Sequence, residues 1–167
     1  MDQRWRMNNR RLVAIMLLVL GGAACGSGPP VLGREFQSRA VSVCQATLAQ
    51  KKALGPFPYS DFNPTRPDLS KLPAIGRLEV RTVTIFETWL GQMQALAQPP
   101  TGQSAWADVM KALESHVWII VEQQAAAQRG DGQTFTKDYY EGNKAQDEME
   151  RAADAAGVQA CADAAGA

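Results

Sequence analysis

The chain has 167 residues and a formal net charge of zero; 46% of its residues are hydrophobic and only 7% are aromatic. This length suits one small domain, and an alanine-rich chain with few β-branched runs favours helices over sheets. From residue 25 onward, 16 acidic residues face 13 basic ones, so no basic stripe is available to neutralise phosphates. The composition therefore argues against nucleic-acid binding, which depends on that attraction.

Residues 1–24 have the three-part order of a secretory signal. A segment with four arginines precedes the uninterrupted apolar run 12–20, and small residues fill 21–24. A helix that spans a bilayer needs about 20 apolar residues, and this run is much shorter. We therefore predict a cleaved signal peptide over 1–24 rather than a permanent transmembrane anchor.

The end of the leader resembles a bacterial lipobox. The run Leu20-Gly-Gly-Ala-Ala-Cys25 places small residues before a cysteine, although Gly22 stands where the family usually has Leu, Val or Ile. In that family the cysteine thiolate is the nucleophile that receives a diacylglyceryl group, and a peptidase then cuts before it. The resemblance implies a lipid on Cys25, a tether over 25–33, and attachment to the extracytoplasmic face of the cell membrane. A secreted protein cut nearby is the alternative.

Four segments of the mature chain carry the three- and four-residue spacing of helices, at about 34–54, 74–97, 102–128 and 131–157. The last segment has a heptad-like seam of small and aromatic residues. The members of the seam are Phe135, Tyr139, Gly142, Gln146, Met149, Ala153 and Ala156.

Residues 55–73 interrupt the helical pattern because prolines recur through them. This interval predicts a long Pro-rich loop between the first and second helices. We expect its aromatic residues Phe57, Tyr59 and Phe62 to pack back onto the bundle. Loops of this length are often functional, which makes this one the first place to look for a partner surface.

Cys44 and Cys161 remain once Cys25 is assigned to lipidation. Exported cysteines meet an oxidising environment and tend to pair, so a Cys44–Cys161 disulfide is predicted, with two free buried thiols as the alternative. A short link between the third and fourth helices predicts an antiparallel hairpin. The fold prediction is therefore all-α: an up-down four-helix bundle over 34–167, in which the first helix returns to the end of the fourth.

Taken together, these features resemble a type of small actinobacterial lipoprotein. The resemblance covers about residues 20–165 and concerns architecture, so it implies the disulfide and the bundle but no substrate. Its marks are the lipobox, an early helix with one cysteine, a Pro-rich loop, Pro99-Pro100 before the Trp106 helix, the Gly130-Asp131 junction, and a final Gly157-Val-Gln-Ala-Cys161.

His116 is the only histidine. It is interpreted either as a metal or haem ligand, together with Met110, or as a half-buried core residue with a satisfied hydrogen bond. The second interpretation is favoured because a lone histidine lacks companions for a closed metal site. Five carboxylates of the fourth segment are predicted to form a solvated helix face: Asp138, Glu141, Asp147, Glu148 and Glu150.

The sequence contains neither a Gly-x-Ser-x-Gly nucleophile motif nor a Gly-rich phosphate loop. We therefore predict no catalytic residue, no cofactor and no metal. The leading hypothesis is a non-enzymatic interaction or binding module of the cell envelope, held to the membrane by its lipid. An apolar patch beside the 55–73 loop would favour an envelope protein as its partner. Trp118, Tyr139 and Tyr140 are interpreted either as an exposed aromatic patch for a partner or as a core residue, Tyr139, with two residues that partly cover loops; the second interpretation is favoured.

A carrier for a small apolar ligand is the alternative. The small residues Gly142, Ala145 and Ala153 leave room for a cavity inside the bundle. A pocket of about 300 Å³ or more, lined by Trp and Met, would favour this hypothesis. An enzyme is the third possibility, and it requires His116 to lie in a cleft within reach of a carboxylate or a hydroxyl.

Overall fold

The structure, a computed structural model, describes residues 31–55 and 63–166. Within those ranges it contains five α-helices and no strand, so the predicted all-α class is confirmed. The helices are α1 (Arg34–Ala53), α2 (Leu72–Gln94), α3 (Gln103–Arg129), α4 (Gly132–Ala156) and α5 (Gln159–Gly166). None of these helices is long and apolar enough to cross a bilayer.

Several sequence predictions fall outside the described residues. They are the signal peptide over 1–24, the lipidated cysteine with most of its tether, and the aromatic residues of the Pro-rich loop: Cys25, Phe57, Tyr59 and Phe62.

The four long helices follow the predicted segments to within three residues at each end. The start of α2 is earlier than predicted because Pro73 lies in its first turn, where the missing N–H has no helical partner to lose. The short helix α5 was not predicted. It begins two residues after Gly157, which ends α4 with a φ of 73°.

The main core joins all five helices. Its large members include Phe36 and Trp106, whose rings meet edge to face with centroids 4.8 Å apart. A second, smaller cluster lies where α2, α3 and α4 meet beyond the ends of α1 and α5. Its members are Leu72, Ala126, Ala127 and Phe135.

Cys44 of α1 and Cys161 of α5 form a disulfide, as predicted, with their Cα atoms 4.8 Å apart. Both residues are fully buried in the main core. The sulfur of Met93 lies 3.9 Å from that of Cys44, which is a packing contact because a disulfide sulfur has no hydrogen to donate. The bond fastens the short C-terminal helix to the first long helix.

The chain enters the bundle at the end where α1 and α3 begin. Leu32 is fully buried there, and the backbone of Gly102 packs so closely on the carbonyl of Val31 that an added Cβ would collide with it. Gly102 also has a φ of 68°, which glycine adopts without strain. The first described residues are therefore held against the loop that joins α2 and α3.

Candidate functional site

A cleft of about 370 Å³ opens part-way along the bundle. It exists because α1 and α5 end there, while α2, α3 and α4 continue to the small second core. We call it the His116 cleft. Its lining residues are Lys51, Pro64, Glu79, Thr82, Phe86, His116, Ile120, Gln123, Phe135, Tyr139, Gly142, Asn143, Gln146, Ala165 and Gly166.

Helical spacing explains which side chains face this space. Residues three or four apart share one helix face, so α2 contributes one row, α3 a second and α4 a third. The α4 row is the N-terminal part of the predicted heptad seam, from Phe135 to Gln146, and Gly142 lies within it. A Cβ at Gly142 would only touch the side chain of Ile119, at 3.7 Å, so its absence leaves room beside α3.

The imidazole of His116 forms part of the cleft wall. The residue is only 5% exposed, and neither ring nitrogen makes a hydrogen bond within the described part of the chain. The predicted satisfied hydrogen bond is therefore absent. Buried polar groups nearly always have a partner, and leaving one unpaired costs about 1–3 kcal/mol. The imidazole therefore has unmet hydrogen-bonding capacity in the wall of the cleft.

His116 is neutral at physiological pH. Burial, and secondarily the charge of Lys51, lowers its pKa to about 4. The backbone carbonyls of Gly142 and Ala165, which lie near the ring, act in the opposite direction. A neutral imidazole presents one donor and one acceptor nitrogen, so this wall offers both kinds of bond.

Lys51 brings a positive charge to the same end of the cleft. Its Nζ donates to the carbonyls of Ala164, at 2.7 Å, and Ala165, at 3.1 Å. The third N–H direction faces Phe86, whose ring centroid is 4.6 Å from Nζ. The ammonium therefore caps the C-terminal carbonyls of α5, and burial lowers its pKa to about 8.

Glu79 lies toward the opposite end of the cleft. Seven residues of α2 separate it from Phe86, which corresponds to about 10 Å of helix. Its carboxylate is half-buried, and no hydrogen bond or ion pair joins it to another described residue. Burial raises its pKa to about 7. The cleft thus has a fixed cation at one end and an unpaired, titrating carboxylate at the other.

The remaining candidate residues lie elsewhere. The disulfide and Met110 belong to the main core and do not line the cleft. Trp118 is 64% exposed on α3, and Tyr140 is half exposed on α4, whereas Tyr139 lines the cleft. Within 31–55 and 63–166, no group of three or more His, Cys, Asp and Glu side chains is arranged to hold a metal ion.

The predicted solvated face of α4 is wrong at one of its five carboxylates. Asp147, Glu148 and Glu150 are exposed, and Glu141 is paired with Lys144. Asp138, by contrast, is only 5% exposed, and burial raises the pKa of its carboxyl. It follows Phe135 by three residues, and this spacing places it at the edge of the buried face.

Known proteins give no guide to this site: no family model, curated protein or solved structure matches the chain. The interpretation therefore depends on the geometry of the His116 cleft itself.

Proposed function

We propose that this chain is a lipid-tethered protein of the cell envelope that binds a small amphipathic molecule in the His116 cleft. The observation that carries the proposal is a buried imidazole without a hydrogen-bond partner in the wall of a cleft of about 370 Å³. Small-molecule sites are concave, largely apolar, and equipped with a few polar groups that orient the ligand. A bound hydroxyl, amide or carboxyl group would make the bond that the protein leaves unmade.

The residues that line the cleft argue against a carrier for a purely apolar ligand. Phe86, Phe135 and Tyr139 supply apolar surface, but no Trp or Met of the described part of the chain lines the cleft. Two charged residues, Lys51 and Glu79, lie among the aromatic ones. This mixture favours an amphipathic ligand over a purely apolar one.

The proposal is a binding role rather than a catalytic one because His116 lacks the partner that a general base needs. Catalytic histidines are oriented by a hydrogen bond from one nitrogen and face the reacting group with the other. No described carboxylate or hydroxyl makes such a bond with His116. The ring is suited to recognise a polar group, and nothing in its surroundings orients it for proton transfer.

The lipid anchor on Cys25 and the position outside the cytoplasm remain part of the proposal, supported by the lipobox-like leader and by the resemblance to small actinobacterial lipoproteins. The buried disulfide agrees with an oxidising compartment. We also propose that the four long helices run up and down. In that arrangement the cleft lies about 20 Å along α3 from the tethered end, because His116 follows the first residue of α3, Gln103, by 13 positions.

A partner-docking module is the second candidate function. Trp118 and Tyr140 are large aromatic residues that stay exposed, and Leu69 and Leu78 are exposed as well. However, scattered exposed apolar side chains are common on monomeric proteins, and they indicate an interface only when they join into a large patch. The cleft is therefore stronger evidence for a ligand-binding role than the exposed aromatic residues are for a partner-docking role.

Blocking the cleft tests the proposal. The probe is the uncharged fluorophore N-phenyl-1-naphthylamine, titrated into the full-length protein in detergent micelles. We expect Gly142→Leu to weaken binding at least tenfold, because the new side chain enters the cleft. Gly91→Leu is the matched control, since a Cβ at Gly91 meets nothing within 4 Å. Both changes replace a helical glycine, so both are expected to stabilise α-helix by a similar amount. No binding by the wild-type protein, or equal binding by the two variants, would overturn the proposal.

A further inference from the structure

We infer that the Glu79 end of the His116 cleft is a subsite for an alkylammonium group. The ligand is then an elongated amine with a neutral hydrogen-bonding group, such as a hydroxyl or an amide, at its other end. This inference rests on the proposed function and names the chemical class of the ligand.

The Glu79 carboxylate has no partner among the described residues. Glu79 is half-buried, faces the cleft, and has no ion pair or hydrogen bond with a described residue. Withdrawing a charge from water is unfavourable unless a partner compensates for it. Burial is the cause of its raised pKa, and no charge of a described residue offsets that effect. An ammonium group in the cleft would supply the missing partner.

Aromatic residues lie at the Glu79 end of the cleft. Phe135 belongs to the small core beyond the ends of α1 and α5, and Tyr139 follows it by one helical turn. Gln146 marks the opposite end of the α4 row, since it packs against Gly166 at the end of α5. Organic cations bind favourably where aromatic ring faces and a carboxylate surround them. Glu79 and the partly exposed ring of Tyr139 provide such surroundings, next to the small core that holds Phe135.

The positive charge of Lys51, at the opposite end of the cleft from Glu79, fixes the orientation of the ligand. Lys51 is positive and its N–H groups are directed at two carbonyls and the Phe86 ring, so a second cation there would be repelled. The neutral His116 offers a donor and an acceptor without a charge. The ammonium therefore binds at Glu79, and the uncharged polar group binds at His116.

The test compares 6-amino-1-hexanol with two probes that each change one of its end groups: 1,6-hexanediol, which lacks the amine, and hexylamine, which lacks the hydroxyl. Each is titrated calorimetrically into the full-length protein. We expect the amino alcohol to bind at least tenfold more tightly than the diol. Glu79→Gln should remove that preference. Glu87→Gln, at an exposed position on the same helix, should preserve it.

Binding of the amine should also strengthen as pH rises from 5 to 7, by up to about tenfold per pH unit, because Glu79 must lose its proton to pair with the ammonium. Among the described residues, the other ionisable groups that line the cleft are Lys51 from α1, His116 from α3 and Tyr139 from α4. Lys51 and His116 have pKa values of about 8 and about 4, so neither changes charge substantially within this interval. Binding of the diol should stay constant over the same range.

The outcomes separate the two proposals. If the amino alcohol and the diol bind equally well and Gly142→Leu weakens both, the ammonium subsite is wrong and the cleft remains a binding site. If Glu79→Gln keeps the preference for the amine, the ammonium binds elsewhere and the inference is overturned. If none of the probes binds and N-phenyl-1-naphthylamine also fails to distinguish Gly142→Leu from Gly91→Leu, the proposed function fails as well.

Discussion

Removal of the Cys44–Cys161 disulfide is expected to lower the free energy of unfolding by about 4–5 kcal/mol. The bond joins residues 117 positions apart, so it strongly restricts the unfolded chain. A small domain has a total stability of about 5–15 kcal/mol, so the expected loss is a large fraction of it. α5 should be the most affected helix, because it has only eight residues and depends on the bond to stay against α1.

Urea unfolding of the wild-type protein and of the Cys44→Ala/Cys161→Ala variant measures this loss. Reduction of the wild-type protein is the control, since it breaks the bond while both sulfur atoms stay in place. α5 also contributes Ala165 and Gly166 to the His116 cleft, so probe binding should weaken in parallel. A loss below about 1 kcal/mol in both the variant and the reduced protein would contradict the stabilising role predicted by loop entropy.

Replacing His116 and replacing Glu79 are expected to have opposite effects on how the free energy of unfolding changes with pH. The pKa of His116 is about 4 in the folded protein and 6.5 as a model value, so between these values the unfolded chain binds the extra proton. Stability from this residue is therefore lost as pH falls from 6.5 to 4, by up to about 3 kcal/mol. Glu79 has a folded pKa of about 7 against 4.5, so its contribution declines as pH rises from 4.5 to 7.

The two effects oppose each other between pH 4.5 and 6.5 in the wild-type protein. Relative to wild type, His116→Phe should become less stable as pH rises through that window, because only the Glu79 effect remains. Glu79→Gln should become more stable over the same window. Urea unfolding at pH 4 to 8 measures these differences, with Glu87→Gln as the control that should parallel wild type. Parallel profiles for all four proteins would show that neither group is buried as the structure describes.

The helices and the disulfide could be predicted from the sequence because each leaves a local signal. Hydrophobic spacing identifies a helix of more than twenty residues, and an even number of unassigned cysteines suggests their pairing. The agreement is weaker within α2. Leu78 lies one helical turn after the buried Ile75 but is 45% exposed, whereas Val83 and Phe86 are buried. α2 packs against different neighbours along its length, and a single repeating stripe does not capture that change.

The cleft could not be predicted in the same way, because it depends on where two helices end. α5 covers only two turns and carries mainly small residues, which gives periodicity little to detect. Lys51 and Glu79 have the sequence context of ordinary surface charges, and only the tertiary structure places them at two ends of one cavity. One sequence signal for the cleft was available. Gly142 has no side chain, and its neighbours in the predicted seam, Tyr139 and Gln146, are much larger.

The central claim is that a lipid-tethered chain holds a small molecule in the His116 cleft, and mass spectrometry of the protein purified from membranes tests both parts together. Under denaturing conditions, the account predicts the mass of residues 25–167 plus a diacylglyceryl-based lipid. Under native conditions, it predicts a further mass of one small molecule, which Gly91→Leu keeps and Gly142→Leu loses. An unlipidated chain with residues 1–24 intact, with the same mass under both conditions, would contradict the account.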